Sequence, residues 1–315
     1  MASMRLGFVC LGYSCNAARS ASQAIGAGLV EAYWKVFPDG ESYLRIDGDL
    51  GDGVAVAVFT GFPEPSRRVV EGLLLVEALR GLGARGVIAA PLYLAYSRQD
   101  KRFLRGEPIS VRAVLRGLGA AGADALLTVD IHKEYSLEWF PGPCLNVSPA
   151  PAFAEALRGI VEESKRTYVL APDRGAFPRA KRLGELLGAP FDYLEKTRDR
   201  VTGEVTVRPK TLDARGATVI IVDDIVSTGG TLAKAARLLL EQGAEKVYAA
   251  ITHCLLVGNA VEKLEESGIE KLFCANTVEP RWSKARVVDI GPLVAEAARK
   301  LAERLYSYEQ EAPRT

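Results

Sequence analysis

Two adjacent acids, followed closely by a turn of glycines and hydroxyl residues, form the most distinctive chemical pattern in this sequence. Asp223 and Asp224 end the apolar segment 218–222. The turn after them consists of Ser227, Thr228, Gly229, Gly230 and Thr231. Glycines allow backbone N–H groups to close around a phosphate, and the start of the next helix adds a partial positive charge. The turn is no Walker A loop, because GxxxxGK[ST] is missing. Paired acids ending a buried strand need a partner such as a polyol or a metal, which disfavours the plainer reading as a capped turn.

Other polar segments follow apolar stretches, and each has an ordinary explanation when it is taken alone. FPDGE is a common turn, YSRQDKR a solvated charge run, DIH a satisfied histidine, and the stretch after KTR an exposed hairpin tip. The segments are FPDGE at 37–41, YSRQDKR at 96–102, VDIH at 129–132, APDRG at 171–175 and KTR at 196–198. Their chemical use therefore depends on whether the fold assembles them.

Short apolar runs alternate with segments of helical spacing, and this alternation predicts how the polar residues are positioned. The runs are apolar on both faces, as in the central strands of a covered parallel sheet. They lie at 53–59, 86–93, 125–131, 167–173, 218–224 and 246–253, with helices predicted at 65–83 and 231–243. Strand and helix in steady alternation predict an α/β fold with mainly parallel sheets flanked by helices.

The sequence also repeats itself at half its length. GARGVIAA at 83–90 matches GAEKVYAA at 243–250, and each copy follows a predicted strand and a long helix. The repeat predicts two similar domains, at 1–149 and 150–290. Where strand meets helix, the first copy has TGFPEPSRR at 60–68 instead of the acids and glycines, so we expect the phosphate site in the second copy only.

Composition sets limits on the function. The chain has 315 residues, with 40 Lys and Arg against 39 Asp and Glu, so no overall charge favours nucleic acid or a membrane surface. The five cysteines form no CxxC pair, which disfavours a zinc ribbon or a disulfide framework and indicates packing roles in a reducing compartment. No apolar run approaches the ~18 residues of a membrane span, and the N-terminus is typical of a first buried strand, so we expect a cytoplasmic protein. Scarce Asn, Gln and Met are typical of thermophile proteins.

The segment VIIVDDIVSTGGTLAKAARLL at 219–239 resembles the phosphoribosyl-pyrophosphate (PRPP) signature of type I phosphoribosyltransferases. The five other segments, in this order and spacing, narrow the resemblance to ribose-phosphate diphosphokinases. The resemblance extends from about residue 8 to about residue 308. The sequence looks closer to archaeal members of that family than to bacterial or animal ones. The resemblance implies two phosphoribosyltransferase-like domains, with the C-terminal helix 291–308 packed on the first. It also implies transfer of the β,γ-diphosphate of ATP to the 1-hydroxyl of ribose 5-phosphate, giving PRPP and AMP. Ser227 departs from bacterial and animal members, which usually have an acid there.

The resemblance assigns roles to individual residues. Lys196 and Arg198 would be catalytic, on a loop that closes over the transferred phosphate. Ribose 5-phosphate would be bound by Asp223, Asp224, Ser227, Thr228, Gly229, Gly230 and Thr231. ATP would be bound by Phe37, Asp39, Glu41, Arg98, Gln99 and His132. Mg²⁺ would be held by His132 and Asp173. The family further implies a homo-oligomer in which the residues of 37–41 reach the adenine of a neighbouring subunit.

Two other functions remain open at this point. A phosphoribosyltransferase that consumes PRPP needs only the 223–231 signature, which leaves FPDGE, RQDK and the duplicated domain without a role. A non-catalytic regulatory subunit of a diphosphokinase is expected to lack some of the cations or metal ligands, whereas Lys196, Arg198, His132 and Asp173 are all present.

Overall fold

Strands and helices alternate along the whole of the described chain, as the sequence predicts. The computed structural model describes residues 5–48, 53–198, 205–209 and 213–311, without the side chains of 196–198, 205–209 and 308–311. The strands are β1 (Leu6–Cys10), β2 (Gly28–Glu31), β3 (Tyr33–Val36), β4 (Ser42–Arg45), β5 (Val54–Phe59), β6 (Gly86–Pro91), β7 (Ala125–Val129), β8 (Cys144–Val147), β9 (Thr167–Ala171), β10 (Phe191–Arg198), β11 (Val205–Pro209), β12 (Thr218–Val226), β13 (Lys246–Cys254), β14 (Ile269–Ala275) and β15 (Ala285–Val288). The helices are α1 (Cys15–Ile25), α2 (Pro65–Gly81), α3 (Ser110–Ala120), α4 (Ala150–Glu163), α5 (Phe177–Leu187), α6 (Gly230–Glu241), α7 (Ala260–Glu265) and α8 (Gly291–Glu311).

The predicted central strands are buried along their entire length. Every residue of β5, β6, β7 and β9 is buried, as expected for parallel strands with helices on both faces. The strands pair in parallel with their neighbours, for example β5 with β6 and β12 with β13. Residues such as Val87, Leu115 and Leu126 form one core, and residues such as Ile221, Leu239 and Leu272 form a second. The alternation of apolar runs and helical segments in the sequence therefore corresponds to two parallel sheets covered by helices.

The two sheets have the same strand order. The first runs β2-β1-β5-β6-β7-β8, and the second runs β10-β9-β12-β13-β14-β15 with β11 added antiparallel at the β10 edge. The repeated segments 83–90 and 243–250 lead into β6 and β13, which occupy the same place in each order. The fold is thus two similar domains, each a mainly parallel sheet flanked by helices.

The chain crosses between the two domains twice. One compact unit comprises Met1–Ser148 with Asp289–Thr315, and the other comprises Pro149–Val288. Helix α8 packs on the first unit, where Gly291 approaches α1 so closely that a Cβ would lie 2.5 Å from the Cβ of Ser20. None of the described helices has the length and apolar character that crossing a membrane requires.

The expectation that the cysteines are unpaired packing residues is wrong for four of the five. Cys10 and Cys15 form a disulfide across the turn between β1 and α1, and Cys254 and Cys274 form another between β13 and β14. The remaining cysteine, Cys144, is free, and burial raises the pKa of its thiol to about 11. Sequence spacing cannot show these pairs, because a tight turn creates the first and strand pairing creates the second. Disulfides in intracellular proteins are typical of hyperthermophiles, so they do not contradict a thermophile composition.

Candidate active site

The second sheet reverses its strand order between β9 and β12, and Asp173 and the predicted ribose 5-phosphate residues lie at that point. The chain passes from β9 to β10 on one side, whereas from β12 it passes to β13 on the other. Ile221 of β12 pairs with Leu170 of β9, which brings the carboxyl ends of the two strands together. Asp223 extends β12 beyond this pair, and Asp173 follows β9. Ligands of open α/β sheets bind at such a reversal, outside the carboxyl ends of the strands.

Asp223 and Asp224 form a pair of carboxyls, of which Asp224 is buried and Asp223 is partly buried. Asp224 is 5% exposed, and its backbone N–H donates to Asp223 Oδ1 at 2.9 Å. Burial, together with the neighbouring charge of Asp224, raises the pKa of Asp223 to about 8. Arg179 of α5 places its Nη2 3.7 Å from Asp224 Oδ2, and its charge opposes the rise in that pKa. The pair is therefore suited to accept hydrogen bonds from the hydroxyls of a ligand that enters this edge.

The turn after β12 is held open by its backbone. Gly229 has φ +73°, a conformation that side chains disfavour, and a Cβ there would lie 3.2 Å from the carbonyl oxygen of Ala260. The carbonyl oxygen of Ser227 accepts the Val257 N–H at 2.9 Å, which fixes the turn to the segment after β13. Helix α6 then begins at Gly230. The first N–H groups of a helix lack partners within the helix, so this arrangement can bind a phosphate.

Asp173 has a fixed side chain. Its Oδ1 accepts the backbone N–H of Gly175 at 2.7 Å and that of Ala176 at 3.2 Å, which caps the short 3-10 segment Arg174–Ala176. The segment contacts both β9 and β12. Local backbone bonds thus orient the carboxyl, next to a segment that contacts the strand carrying the acid pair.

Lys196 and Arg198 lie among the last three residues of β10, at the end of the strand that leads into the hairpin turn. Their backbones pair antiparallel with β11, Lys196 with Val207 and Arg198 with Val205, so the predicted hairpin is present. The side chains of both residues, and residues 199–204 that join the strands, lie outside the described part of the chain.

The corresponding edge of the first sheet is closed by protein. Ser14 Oγ donates to the carbonyl oxygens of Leu11 at 2.7 Å and Val58 at 3.0 Å, across β1 and β5. The disulfide between Cys10 and Cys15 crosses the same place. Because this reversal point is filled, the first domain offers its polar residues elsewhere, after β6 and β7.

Asp130 and His132 follow β7 in a strained, well-fixed segment. Asp130 has φ +44°, an uncommon conformation for a residue with a side chain, and its N–H donates to Val147 O at 2.9 Å. The Ile131 N–H donates to Asn146 Oδ1 at 3.0 Å. Backbone strain of this kind concentrates at functional sites, so it supports a role for His132 next to it.

The segment after β6 presents Arg98 to solvent and anchors its neighbours. The side-chain oxygen of Gln99 accepts the hydroxyl of Ser110 at the start of α3. Asp100 is 7% exposed and accepts the hydroxyl of Tyr135, and this hydrogen bond raises the pKa of Tyr135. Tyr135 lies in the 3-10 segment that follows His132. The bond therefore ties the Arg98 segment to the His132 segment.

FPDGE forms the turn of an antiparallel hairpin made by β3 and β4. The turn is closed by the Phe37 N–H, which donates to Glu41 O at 2.8 Å, and Asp39 Oδ1 accepts the Glu41 N–H at 3.1 Å. Phe37 is 38% exposed and meets Tyr43 edge-on at 6.0 Å, with Lys35 Nζ 4.7 Å from the centre of the Phe37 ring. The hairpin thus presents an aromatic ring beside two acids.

Comparisons with known proteins decide the family. A family model described as "N-terminal domain of ribose phosphate pyrophosphokinase" matches residues 9–122, and one described as "Phosphoribosyl transferase domain" matches 148–284. The ribose-phosphate pyrophosphokinase of Aeropyrum pernix is 41% identical over 90% of this chain and 92% of its own. That of Sulfurisphaera tokodaii is 43% identical over 87% and 94%. The crystal structure of phosphoribosylpyrophosphate synthetase from Mycobacterium smegmatis matches with a TM-score of 0.82 at 28% identity, over 95% of this chain and 99% of that one.

This chain belongs to the ribose-phosphate pyrophosphokinase family. The resemblance inferred from six short segments is thereby confirmed, as are the fold class and the enzyme class. The two matched regions contain nearly all of the predicted site residues. The first contains Phe37, Asp39, Glu41, Arg98 and Gln99, and the second contains Asp173, Lys196, Arg198 and 223–231, whereas His132 falls between them.

Sequence reasoning missed three residues that the structure attaches to the predicted set. Arg179 pairs with Asp224, and Asp100 pairs with Tyr135. Arg179 lies in PRAKR directly after the APDRG segment, so its nearness to that segment was a usable signal. No sequence pattern indicated Tyr135, because only the fold brings its hydroxyl close to Asp100.

Proposed function

We propose that this member of the ribose-phosphate pyrophosphokinase family transfers the β,γ-diphosphate of ATP to ribose 5-phosphate. The observation that carries the proposal is the acid pair and phosphate turn at the β9–β12 reversal, in a chain matched along nearly its whole length by ribose-phosphate pyrophosphokinases. The 1-hydroxyl oxygen attacks the β-phosphorus of ATP, the bond from that phosphorus to the α,β-bridging oxygen breaks, and AMP leaves. The hydroxyl proton passes to solvent.

Ribose 5-phosphate binds at the β12 end of the second sheet. Asp223 and Asp224 accept hydrogen bonds from the ribose hydroxyls, and the five turn residues bind the phosphate. Support comes from the left-handed Gly229, the start of α6 at Gly230 and the buried position of Asp224. The turn residues are Ser227, Thr228, Gly229, Gly230 and Thr231.

ATP binds through residues of the first unit. Phe37 and Arg98 stack on the two faces of adenine, a geometry suited to an aromatic ring and a planar guanidinium. Asp39 and Glu41 contact the edge of the base. Gln99 lies nearby, held by Ser110, and His132 faces the phosphates.

Mg²⁺ would arrive with the nucleotide, instead of occupying a site that protein groups alone form. In the described part of the chain, the only converging group of His, Cys, Asp or Glu atoms comprises Cys10, Cys15 and Glu31, and the two cysteines form a disulfide. Mg²⁺ commonly takes one or two protein ligands and completes its shell with substrate phosphates and water. His132 and Asp173 would supply those ligands, and bound Mg²⁺ would neutralise phosphate charge.

Lys196 and Arg198 stabilise the charge that develops on the transferred group. Phosphoryl transfer depends mainly on positioning and electrostatic stabilisation, so two cations at the end of β10 suffice without a covalent intermediate. In support, β10 runs parallel to β9 and continues beyond their paired residues to Lys196 and Arg198, so these two leave the sheet at the end where β9 leads to Asp173.

We further propose a homo-oligomer in which the FPDGE hairpin completes the adenine site of a neighbouring subunit. The hairpin is a two-stranded sheet separate from the main one, with Phe37 and Tyr43 exposed on it. An exposed aromatic turn of this kind is suited to cover a base bound elsewhere.

One assay separates this function from its alternatives. The protein should form AMP and PRPP from ATP only when ribose 5-phosphate and Mg²⁺ are both present, with phosphorus NMR identifying the product. Chelation of Mg²⁺ and omission of ribose 5-phosphate are the controls. Consumption of PRPP with a free base would instead indicate a phosphoribosyltransferase. No turnover, with both substrates bound, would indicate a regulatory subunit.

A further inference from the structure

A buried carboxylate lies beneath the FPDGE hairpin, where the family resemblance assigned no residue. Glu71 of α2 is 1% exposed. Its Oε2 accepts a hydrogen bond from Arg68 Nη1 at 2.7 Å, and Arg67 Nε lies 3.3 Å from its Oε1. The hydroxyl of Ser42 donates to the same Oε1 at 2.9 Å. Glu71 thus joins its own helix to the first residue of β4, next to Glu41.

The hairpin has two distinct faces, and Glu71 contacts the inner one. Strand pairing places Trp34 opposite Leu44 and Val36 opposite Ser42, so these four residues share a face. Trp34 and Leu44 pack against the core of the first unit. The other face carries Phe37's neighbour Tyr43. The bond from Ser42 therefore fixes the strand that leads directly out of the turn.

The helix that carries Glu71 is itself fixed to the main sheet. Gly72 lies against Phe59 of β5, and a Cβ at Gly72 would lie 2.4 Å from Phe59 Cε2. Arg67 and Arg68 also lie over the Trp34 ring, at 5.9 and 5.0 Å from its centre. Glu71 and α2 consequently connect the turn to β5 and fix its position relative to the main sheet.

Stability alone gives no reason for a charge at this position. A buried ion pair is often no more stabilising than apolar residues of the same size, and Leu75 and Val76 on the same helix show that the core accepts them. A carboxylate does what an apolar side chain cannot, because it accepts a directional hydrogen bond from the hairpin.

We propose that Glu71, through its bond to Ser42, is a positioning residue that orients the 37–41 turn for adenine binding. This inference rests on the proposed function. The inference adds Glu71 of α2 and Ser42 of β4 to the residues that determine ATP binding. Neither residue belongs to the turn, and neither is proposed to contact the nucleotide.

Steady-state kinetics of AMP formation test the inference on Glu71→Met, Ser42→Ala and their double variant. Methionine has nearly the length of glutamate but no oxygen to accept the Ser42 hydroxyl. Each single variant should raise the KM for ATP about three- to tenfold, as one lost hydrogen bond predicts, with the KM for ribose 5-phosphate unchanged. The double variant should be no worse than the more affected single one, because both remove the same bond. Glu77→Met, at an exposed glutamate of the same helix, is the matched control and should leave both KM values unchanged.

The outcomes separate this inference from the proposed function. If Phe37→Ala raises the KM for ATP but Ser42→Ala and Glu71→Met lower only the melting temperature, Glu71 is merely structural and the inference is wrong. Effects that multiply in the double variant would also overturn it. If Glu71→Met fails to fold, Ser42→Ala decides alone. Wild-type protein that makes no AMP would reject the proposed function itself.

Discussion

At the residue scale, Asp223 combines burial with an adjacent negative charge, and its pKa is raised to about 8 from the ordinary 3.8. Such a carboxyl takes up a proton on folding, so its contribution to the free energy of unfolding falls as pH rises from about 4 to about 8. Asp223→Asn removes this dependence. We expect the free energy of unfolding of the variant, relative to wild type, to increase by about 3.5 kcal/mol between about pH 5 and pH 8, as measured by urea unfolding.

Asp213→Asn is the control for this prediction. Hydrogen bonds from exposed Arg215 lower the pKa of Asp213 to about 2. The pKa of Asp213 lies below 5 in both the folded and the unfolded state. The difference in free energy of unfolding between Asp213→Asn and wild type should therefore not change from pH 5 to pH 8. If Asp223→Asn behaves in the same way, the Asp223 carboxyl is ionised throughout that range.

Lys196 is expected to act in the transition state instead of in substrate binding. Lys196→Ala should lower kcat at least ~100-fold, because it removes a charge that stabilises the transferred phosphate. Its dissociation constant for ribose 5-phosphate, measured by calorimetry, should stay close to that of wild type. Lys181→Ala on α5, an exposed lysine beside Glu185, should retain full kcat. Normal turnover in Lys196→Ala would remove this residue from the catalytic set.

The sequence predicts which polar residues lie together where consecutive positions carry the pattern. Asp223, Asp224 and the turn after them form one uninterrupted segment, so a single strand and helix position them all. Arg179 and Tyr135 were not predicted, because each acts on a residue that only folding brings near. A salt bridge or a hydroxyl bond between distant segments leaves no periodic trace in the sequence.

At the element scale, strand and helix limits agree closely with the predicted ones, since burial on both faces gives a continuous apolar run. The helix predicted at 65–83 is Pro65–Gly81, and that predicted at 231–243 is Gly230–Glu241. Pro65 at the first helical position and Gly243 with φ +92° just after the second helix explain why these limits were visible. The disulfides were not visible in the sequence, because a tight turn creates the first and strand pairing creates the second.

The disulfide between β13 and β14 should contribute to stability. It closes a loop across a sequence separation of 20, so Cys254→Ala with Cys274→Ala should lower the free energy of unfolding by about 3 kcal/mol. Guanidinium unfolding under non-reducing conditions measures the change, and Cys144→Ala is the control without a bridge. Thiol titration of the denatured, unreduced wild type should detect Cys144 alone. Five reactive thiols in that titration would show that no bridge forms.

At the scale of the whole molecule, duplication has left two domains with one strand order and different uses. The reversal point of the second sheet offers the acid pair and the turn, whereas that of the first is closed by Ser14 and a disulfide. From the motif differences at 60–68 and 223–231 we predict a phosphate site in the second copy only, and the closed reversal point of the first copy is consistent with that prediction. The motif differences could not predict that side chains close the reversal point of the first sheet, because that closure depends on contacts between β1 and β5.

The shared adenine site makes a prediction about mixtures of subunits. Phe37→Ala/Glu41→Ala removes the turn that serves a neighbour, and Lys196→Ala removes a residue that serves its own subunit. In a symmetric dimer, random exchange makes half of the dimers mixed, and one of the two sites in each of these has both parts intact. We therefore expect about a quarter of wild-type activity after mixing two nearly inactive preparations. AMP formation measures it, with subunit exchange verified by mass spectrometry of differently tagged chains. If exchange occurs and activity stays at the sum of the separate variants, the turn serves its own subunit. A fully active monomer in sedimentation would contradict the oligomeric site altogether.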